Sequence, residues 1–154
     1  MLKKLQNLCG RPGCQSLFTG IGNVLRCDDG AGVYICRRLD PSPSCEGLVV
    51  EASIENYIGR INHSMADVLV LVDCVDFGKN PGYYDLLPVG ELRDLTSHTH
   101  NISLKDISEL FWMPAWILGI QPANISFGEG LSDPVRMAAG AIIGMINAAC
   151  RDAS

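Results

Sequence analysis

Short apolar runs along the chain alternate with stretches in which apolar residues recur at helical spacing. The clearest run is 67–73 (DVLVLVD), in which five apolar residues stand between two aspartates. Such a run is typical of a central strand that is buried on both faces. Four further strands are predicted at residues 14–19, 47–52, 83–87 and 115–120. Pro88 ends the run at 83–87 and favours an edge position for it, because proline cannot donate to a neighbouring strand.

The segments between the predicted strands carry apolar residues on one helical face. This spacing predicts helices at residues 31–39, 57–64, 104–111 and 132–149, the last with Ser132 as its N-cap. Strands that alternate with helices indicate an α/β protein: a three-layer α/β/α sandwich with a mostly parallel, twisted sheet of about five strands. We assign residues 14–154 to a single domain and treat residues 1–13 as a surface lead-in.

Two carboxylates and an imidazole follow the predicted strands. Asp29 lies in a glycine-rich turn after the first strand, Asp73 ends the third strand, and His100 lies in a later loop. Ligands of parallel sheets bind at the carboxyl ends of the strands, so we expect these side chains to meet at one edge. Carboxylate and imidazole together suit a divalent metal ion that could activate water or polarise a peptide carbonyl.

The same residues also have simpler interpretations. Asp28 is well placed to cap the following helix and to orient the turn, and for Asp29 a helix-start role and a ligand role both stay open. Asp73 could cap a following turn. His98 and His100 flank one residue and would point in opposite directions in an extended loop, which favours one ligand over two.

Gly20 and Gly22 match the start of a dinucleotide-binding fingerprint. The third glycine of that pattern would fall on Leu25, and the nearby aspartates would repel a pyrophosphate. A tight turn that only glycine permits is the simpler interpretation. A nucleotide-binding α/β protein remains an alternative.

Charge and composition narrow the partners and the compartment. A net charge of −5 without a Lys/Arg cluster argues against nucleic acid. No apolar run reaches the ~20 residues of a membrane helix, and no signal peptide is evident. The odd number of cysteines, 7, predicts mostly free thiols in a reducing cytoplasm. We also expect a monomer. Cys9 and Cys14 are expected to be exposed thiols rather than part of a zinc site.

Four groups of residues stand out when they are taken together and in order. They are GIGNVLRCDDGAGV at 20–33, VDCVDFG at 72–78 with NPG at 80–82, THN at 99–101 and LGIQP at 118–122. In this combination the chain resembles the nickel-iron hydrogenase maturation endopeptidases. The resemblance covers the chain from about residue 17 to the C-terminal helix.

This resemblance implies a hydrolase, an aspartyl-type endopeptidase, that removes a C-terminal extension from the precursor of a nickel-iron hydrogenase large subunit. The family cuts only after nickel has been inserted, and the nickel is the recognition element. Its nickel-contacting positions map onto Asp29, Asp73 and His100. Because the nickel would arrive on thiolates of the substrate, the empty enzyme is not expected to bind it tightly.

One segment departs from the family's pattern. The family often has D-x-G-T-x-P-E-N after the second strand, whereas residues 51–56 are EASIEN, with glutamate for aspartate and without the Gly or Pro. We therefore expect a different shape of the substrate groove. A nickel-checking module that binds without cutting is the second alternative to the peptidase.

Overall fold

The computed structural model describes residues 1–51, 53–92 and 104–154. Its strands are β1 (Ser16–Ile21), β2 (Cys45–Glu51), β3 (Val68–Cys74), β4 (Tyr84–Pro88) and β5 (Ala115–Ile120). Its helices are α1 (Leu2–Cys9), α2 (Ala31–Cys36), α3 (Ile58–His63), α4 (Leu104–Ser108) and α5 (Asp133–Ala153). Short 3₁₀ turns lie at Cys27–Gly30, Ile54–Tyr57 and Val89–Glu91.

The strands of the described residues form one sheet in the order β2-β1-β3-β5-β4. The pairs β1–β2, β1–β3 and β3–β5 are parallel, and β4 alone is antiparallel, to β5. Every residue of β1 and β3 is buried, as expected for central strands of a parallel sheet, and in β3 this burial matches the unbroken apolar run at 68–72. The predicted mostly parallel sheet of about five strands is confirmed, as is the edge position of the strand that ends at Pro88.

Helices cover both faces of the sheet. Successive side chains of β3 point to opposite faces and so contribute to two separate hydrophobic cores. Val68, Val70 and Val72 face the layer that contains α1, α2 and α5. Leu69 and Leu71 face the opposite layer, with α3 and α4. This arrangement confirms the predicted α/β/α sandwich.

The N-terminal residues differ from the predicted surface lead-in, because residues 2–9 form α1 and pack against α5. Leu5 and Cys9 are one helical turn apart and both are 0% exposed. Cys14 is also buried, so the expectation of exposed thiols at Cys9 and Cys14 is wrong. The apolar face of this helix is only one turn long, and the two lysines that precede Leu5 made it difficult to recognise from the sequence.

The long helix α5 places one continuous face in the core. Its fully buried residues recur every three or four positions: Val135, Ala139, Ile142, Ile146 and Ala149. Its opposite face carries exposed residues, among them Gly140 and Met137. Within the described ranges, no helix has both the length and the apolar character to cross a membrane.

Candidate active site

The glycine-rich turn after β1 packs against the end of β3 at very short backbone distances. A Cβ on Gly32 would lie 2.0 Å from the carbonyl oxygen of Val72, and one on Gly22 would lie 1.8 Å from that of Asp29. Gly22 also has a φ of 135°, which side chains rarely permit. The two glycines therefore let the turn close onto itself and onto β3.

The buried carboxylates of Asp29 and Asp73 lie at the same edge of the sheet. Asp29 is in the 3₁₀ turn Cys27–Gly30, which follows β1 and contacts β3, and Asp73 is the penultimate residue of β3. Since β1 and β3 are parallel neighbours, their carboxyl ends share one edge. Asp29 is 1% exposed and Asp73 is 0% exposed. The third predicted residue, His100, lies outside the described residues, as does His98.

Backbone amides orient both carboxylates. The N–H of Asn23 donates to Oδ2 of Asp29 at 2.9 Å, and the N–H of Cys74 donates to Oδ1 of Asp73 at 2.7 Å. Burial of a carboxylate is unfavourable unless hydrogen-bond donors or a cation compensate its charge. Two buried carboxylates at the carboxyl edge of a parallel sheet are therefore candidates for a functional site.

The donor chemistry of these carboxylates suits a divalent cation. In residues 1–51, 53–92 and 104–154, no three His, Cys, Asp or Glu side chains are grouped closely enough to hold a metal ion. Of the three predicted ligands, Asp29 and Asp73 lie in those ranges and His100 lies outside them.

The sequence suggested that Asp28 caps the following helix, but the structure shows that it does not. The N-cap of α2 is Gly30, and no side chain caps that helix. Asp28, which is fully buried, instead accepts four hydrogen bonds from the segment before α5. The donors are the N–H of Ala123 at 2.9 Å, the N–H of Asn124 at 3.0 Å, and the N–H and hydroxyl of Ser132 at 2.7 and 2.8 Å.

The loop that follows β3 is held by Gln121, a residue whose role the sequence analysis missed. Its side-chain Oε1 accepts from the N–H of Phe77 at 2.6 Å, and its Nε2 donates to Oδ1 of Asp76 at 3.2 Å. The N–H of Gly78 and the amide of Gln121 both stabilise the charged carboxylate, and so lower the pKa of Asp76. Gln121 is in the LGIQP segment, but its partners lie more than 40 residues earlier in the chain, at separations of 44 and 45.

The sequence of the chain matches a known protein family. Residues 49–149 match the family model described as "HycI: Hydrogenase maturation protease". The chain belongs to the hydrogenase maturation protease family. This protease is 28% identical over 127 residues to the Hydrogenase 3 maturation protease of Escherichia coli strain K12, a match that covers 75% of this chain and 78% of the relative.

Solved structures of other maturation proteases share the fold. The crystal structure of HycI from Thermococcus kodakarensis KOD1 superposes with a TM-score of 0.84 at 24% identity, and covers 96% of this chain and 99% of that one. The maturating endopeptidase HybD from E. coli gives a TM-score of 0.72 at 22% identity, with coverages of 90% and 93%.

Membership of this family makes the chain a peptidase, a hydrolase that acts on peptide bonds. The family assignment made from the sequence motifs is confirmed. The family assignment favours the peptidase over the nucleotide-binding alternative.

Proposed function

We propose that this protease removes a C-terminal extension from the precursor of a nickel-iron hydrogenase large subunit, and that it recognises the nickel ion which the precursor carries. Family membership supports the reaction and the hydrogenase substrate. The observation that carries the nickel part is the pair of buried carboxylates, Asp29 and Asp73, at the carboxyl edge of two neighbouring parallel strands.

In this proposal the nickel ion is part of the substrate. It arrives on thiolates of the precursor, and Asp29, Asp73 and His100 contact it through its open coordination positions. Nickel accepts both carboxylate and imidazole ligands. The amides of Asn23 and Cys74 hold the two carboxylates in one orientation before the substrate arrives, which reduces the ordering that binding requires.

Nickel contact places the precursor's chain across the turn at the carboxyl edge. Peptide hydrolysis adds the oxygen of a water molecule to the scissile carbonyl carbon, breaks the C–N bond and transfers a proton to the leaving amine. A carboxylate beside the scissile bond can take the proton from the attacking water. We propose that Asp29 and Asp73 lie beside the scissile bond. We expect the free enzyme to have little affinity for nickel, because the ion arrives on thiolates of the substrate and the enzyme needs to offer only open ligands rather than a closed cage.

The test compares nickel-loaded and nickel-free precursor. Each is incubated with the pure protease, and intact masses are measured over time; the extension should be lost only from the loaded precursor. Adding nickel back to the nickel-free precursor through the loading machinery is the matched control and should restore cleavage. Equal cleavage of both forms would overturn the nickel part. Binding without cleavage of either form would favour the nickel-checking module.

We further propose a cytoplasmic monomer. All seven cysteines lie in the described ranges and none forms a disulfide, which fits a reducing compartment. Light scattering coupled to size-exclusion chromatography tests the monomer, and fractionation of cells tests the compartment.

A further inference from the structure

An arginine-rich cavity lies beside the turn that carries Asp29. It has a volume of about 290 Å³ and is lined by three arginines, Arg37, Arg38 and Arg136, together with Tyr34. Cys27 and Gly30, which begin and end the 3₁₀ turn, also line it. The described lining of this cavity holds three cations and no Asp or Glu, which is opposite in sign to the chain's net charge of −5.

Two of the three arginines are held in place. The guanidinium of Arg38 lies 3.5 Å from the centre of the Tyr34 ring, and its Nη1 donates to the carbonyl oxygen of Tyr34 at 3.0 Å. Arg136 pairs with Asp133, one helical turn earlier on α5. In the described part of the chain, Arg37 makes no ion pair. Arg37 and Arg38 are therefore cationic donors that no carboxylate of the described residues neutralises, whereas Arg136 shares its charge with Asp133.

The cavity and the candidate active site share one short turn. Gly30 lines the cavity, and the neighbouring residue Asp29 is the proposed nickel contact. Consecutive Cα atoms are about 3.8 Å apart, so a substrate chain that crosses the turn reaches the cavity within a few residues of the nickel. An extended segment spans about 3.3 Å per residue, so a few residues of the substrate can contact the nickel site and the arginine cavity at the same time.

We propose that this arginine cavity binds a carboxylate of the precursor's C-terminal extension, an inference that rests on the proposed function. Guanidinium groups recognise carboxylates through paired, charge-assisted hydrogen bonds. The carboxylate comes either from an Asp or Glu side chain of the extension or from its terminal α-carboxylate. Its binding orients the extension for release and adds affinity at a distance from the nickel.

The test is steady-state processing of nickel-loaded precursor by the double variant Arg37→Gln/Arg136→Gln. Both side chains are exposed, so the fold should be retained, which urea unfolding checks. Arg60→Gln, an exposed arginine on α3 in the opposite layer, is the matched control. The double variant should raise KM about 10-fold or more while kcat changes little, because it removes binding that is equally strong in the ground state and the transition state. Its KM should also depend less on salt than that of the wild type.

Two substrate variants identify the carboxylate. One carries an amidated C-terminus and the other has Asn and Gln in place of Asp and Glu in the extension. The substrate variant that lacks the bound carboxylate should raise the KM of the wild-type protease by the same factor as the double variant does with unmodified substrate. With that substrate variant, the double variant should show no further rise in KM. The carboxylate inference is overturned if KM is unchanged for the double variant, or if KM of the wild-type protease is unchanged for both substrate variants. Cleavage of loaded precursor by the wild type would still support the proposed function in that case. Failure of the wild type to cut loaded precursor overturns the proposed function itself.

Discussion

Asp28 and Ser132, which are 104 residues apart in the chain, are joined by two hydrogen bonds. The N–H of Ser132 donates to Oδ1 of Asp28 at 2.7 Å and its hydroxyl donates to Oδ2 at 2.8 Å. This link connects the turn that bears Asp29 with the start of α5. It separates the two adjacent aspartates by role, because Asp28 holds the turn against the rest of the protein and Asp29 remains the candidate ligand.

Asp28→Asn should destabilise the protein strongly. Both carboxylate oxygens accept hydrogen bonds, so an amide in either orientation turns an NH₂ group toward an N–H donor. We expect a loss of about 3 kcal/mol in the free energy of unfolding, measured by urea denaturation. Ser132→Ala, which removes only the hydroxyl, should lose about 1 kcal/mol.

Asp40→Asn is the control for that measurement. Asp40 is exposed, and in the described part of the structure its side chain accepts no hydrogen bond. Its variant should stay within about 0.5 kcal/mol of the wild type. An Asp28→Asn variant that is as stable as Asp40→Asn would show that the four bonds at Asp28 contribute little.

Glycine-to-alanine changes should have opposite effects at two helical positions. Gly32→Ala would place a methyl group 2.0 Å from the carbonyl oxygen of Val72 and should destabilise by about 3 kcal/mol. Gly140→Ala on α5 meets nothing within 4 Å and should stabilise by about 0.5 kcal/mol or more. Urea unfolding of both variants checks the sign. Equal effects would mean that the close approach of the turn to β3 is not required.

Thiol alkylation should select Cys27 in the native protein. Cys27 is half-buried, whereas the other six cysteines are buried. Burial raises the pKa of Cys9 to about 12 and also raises the pKa of Cys36, while a hydrogen bond with the Cys45 thiol and burial raise that of Cys150. Few of these thiols are thiolates at neutral pH. Iodoacetamide should therefore add one group, mapped by peptide mass to Cys27, and all seven sites should react after denaturation.

Asp76 should contribute a pH-dependent part of the stability. The hydrogen bonds from Gly78 and Gln121 lower the pKa of its carboxyl in the folded state below the ordinary 3.8. Its contribution is thus fully present above the unfolded pKa and is lost as the pH falls through the folded pKa. The stability difference between the wild type and Asp76→Asn should be constant near neutral pH and shrink below about pH 4. A difference that grows on acidification would contradict this assignment.

The central strands could be predicted because their signal is local. Residues 115–120 were predicted and observed as a strand with the same bounds, and 67–73 with a shift of one residue. A strand that is buried on both faces has a nearly continuous run of apolar residues, and a short run of β-branched residues and leucine with polar ends indicates a strand rather than a helix. By contrast, β1 begins two residues later than predicted, because polar and apolar residues are mixed from Cys14 to Ile21 and no sharp change marks where the strand begins.

Features that depend on distant contacts could not be predicted. The burial of α1 depends on α5, at the other end of the chain, and the role of Asp28 depends on donors 95 to 104 residues away. The rule for parallel sheets was enough to place Asp29 and Asp73 at one edge. Their roles as ligands, and that of His100, remain predictions.

The proposed contact of Asp29 and Asp73 with the substrate's nickel is the central claim, and it is tested most directly by the rate at which the Asp29→Asn and Asp73→Asn variants cleave nickel-loaded precursor. The amide oxygen can still accept from Asn23 or Cys74, so the fold should be kept. Each variant should be slowed about 100-fold or more relative to the wild type and to Asp40→Asn, because a weaker ligand replaces a carboxylate. Folded variants that both cut at the wild-type rate would contradict the claim.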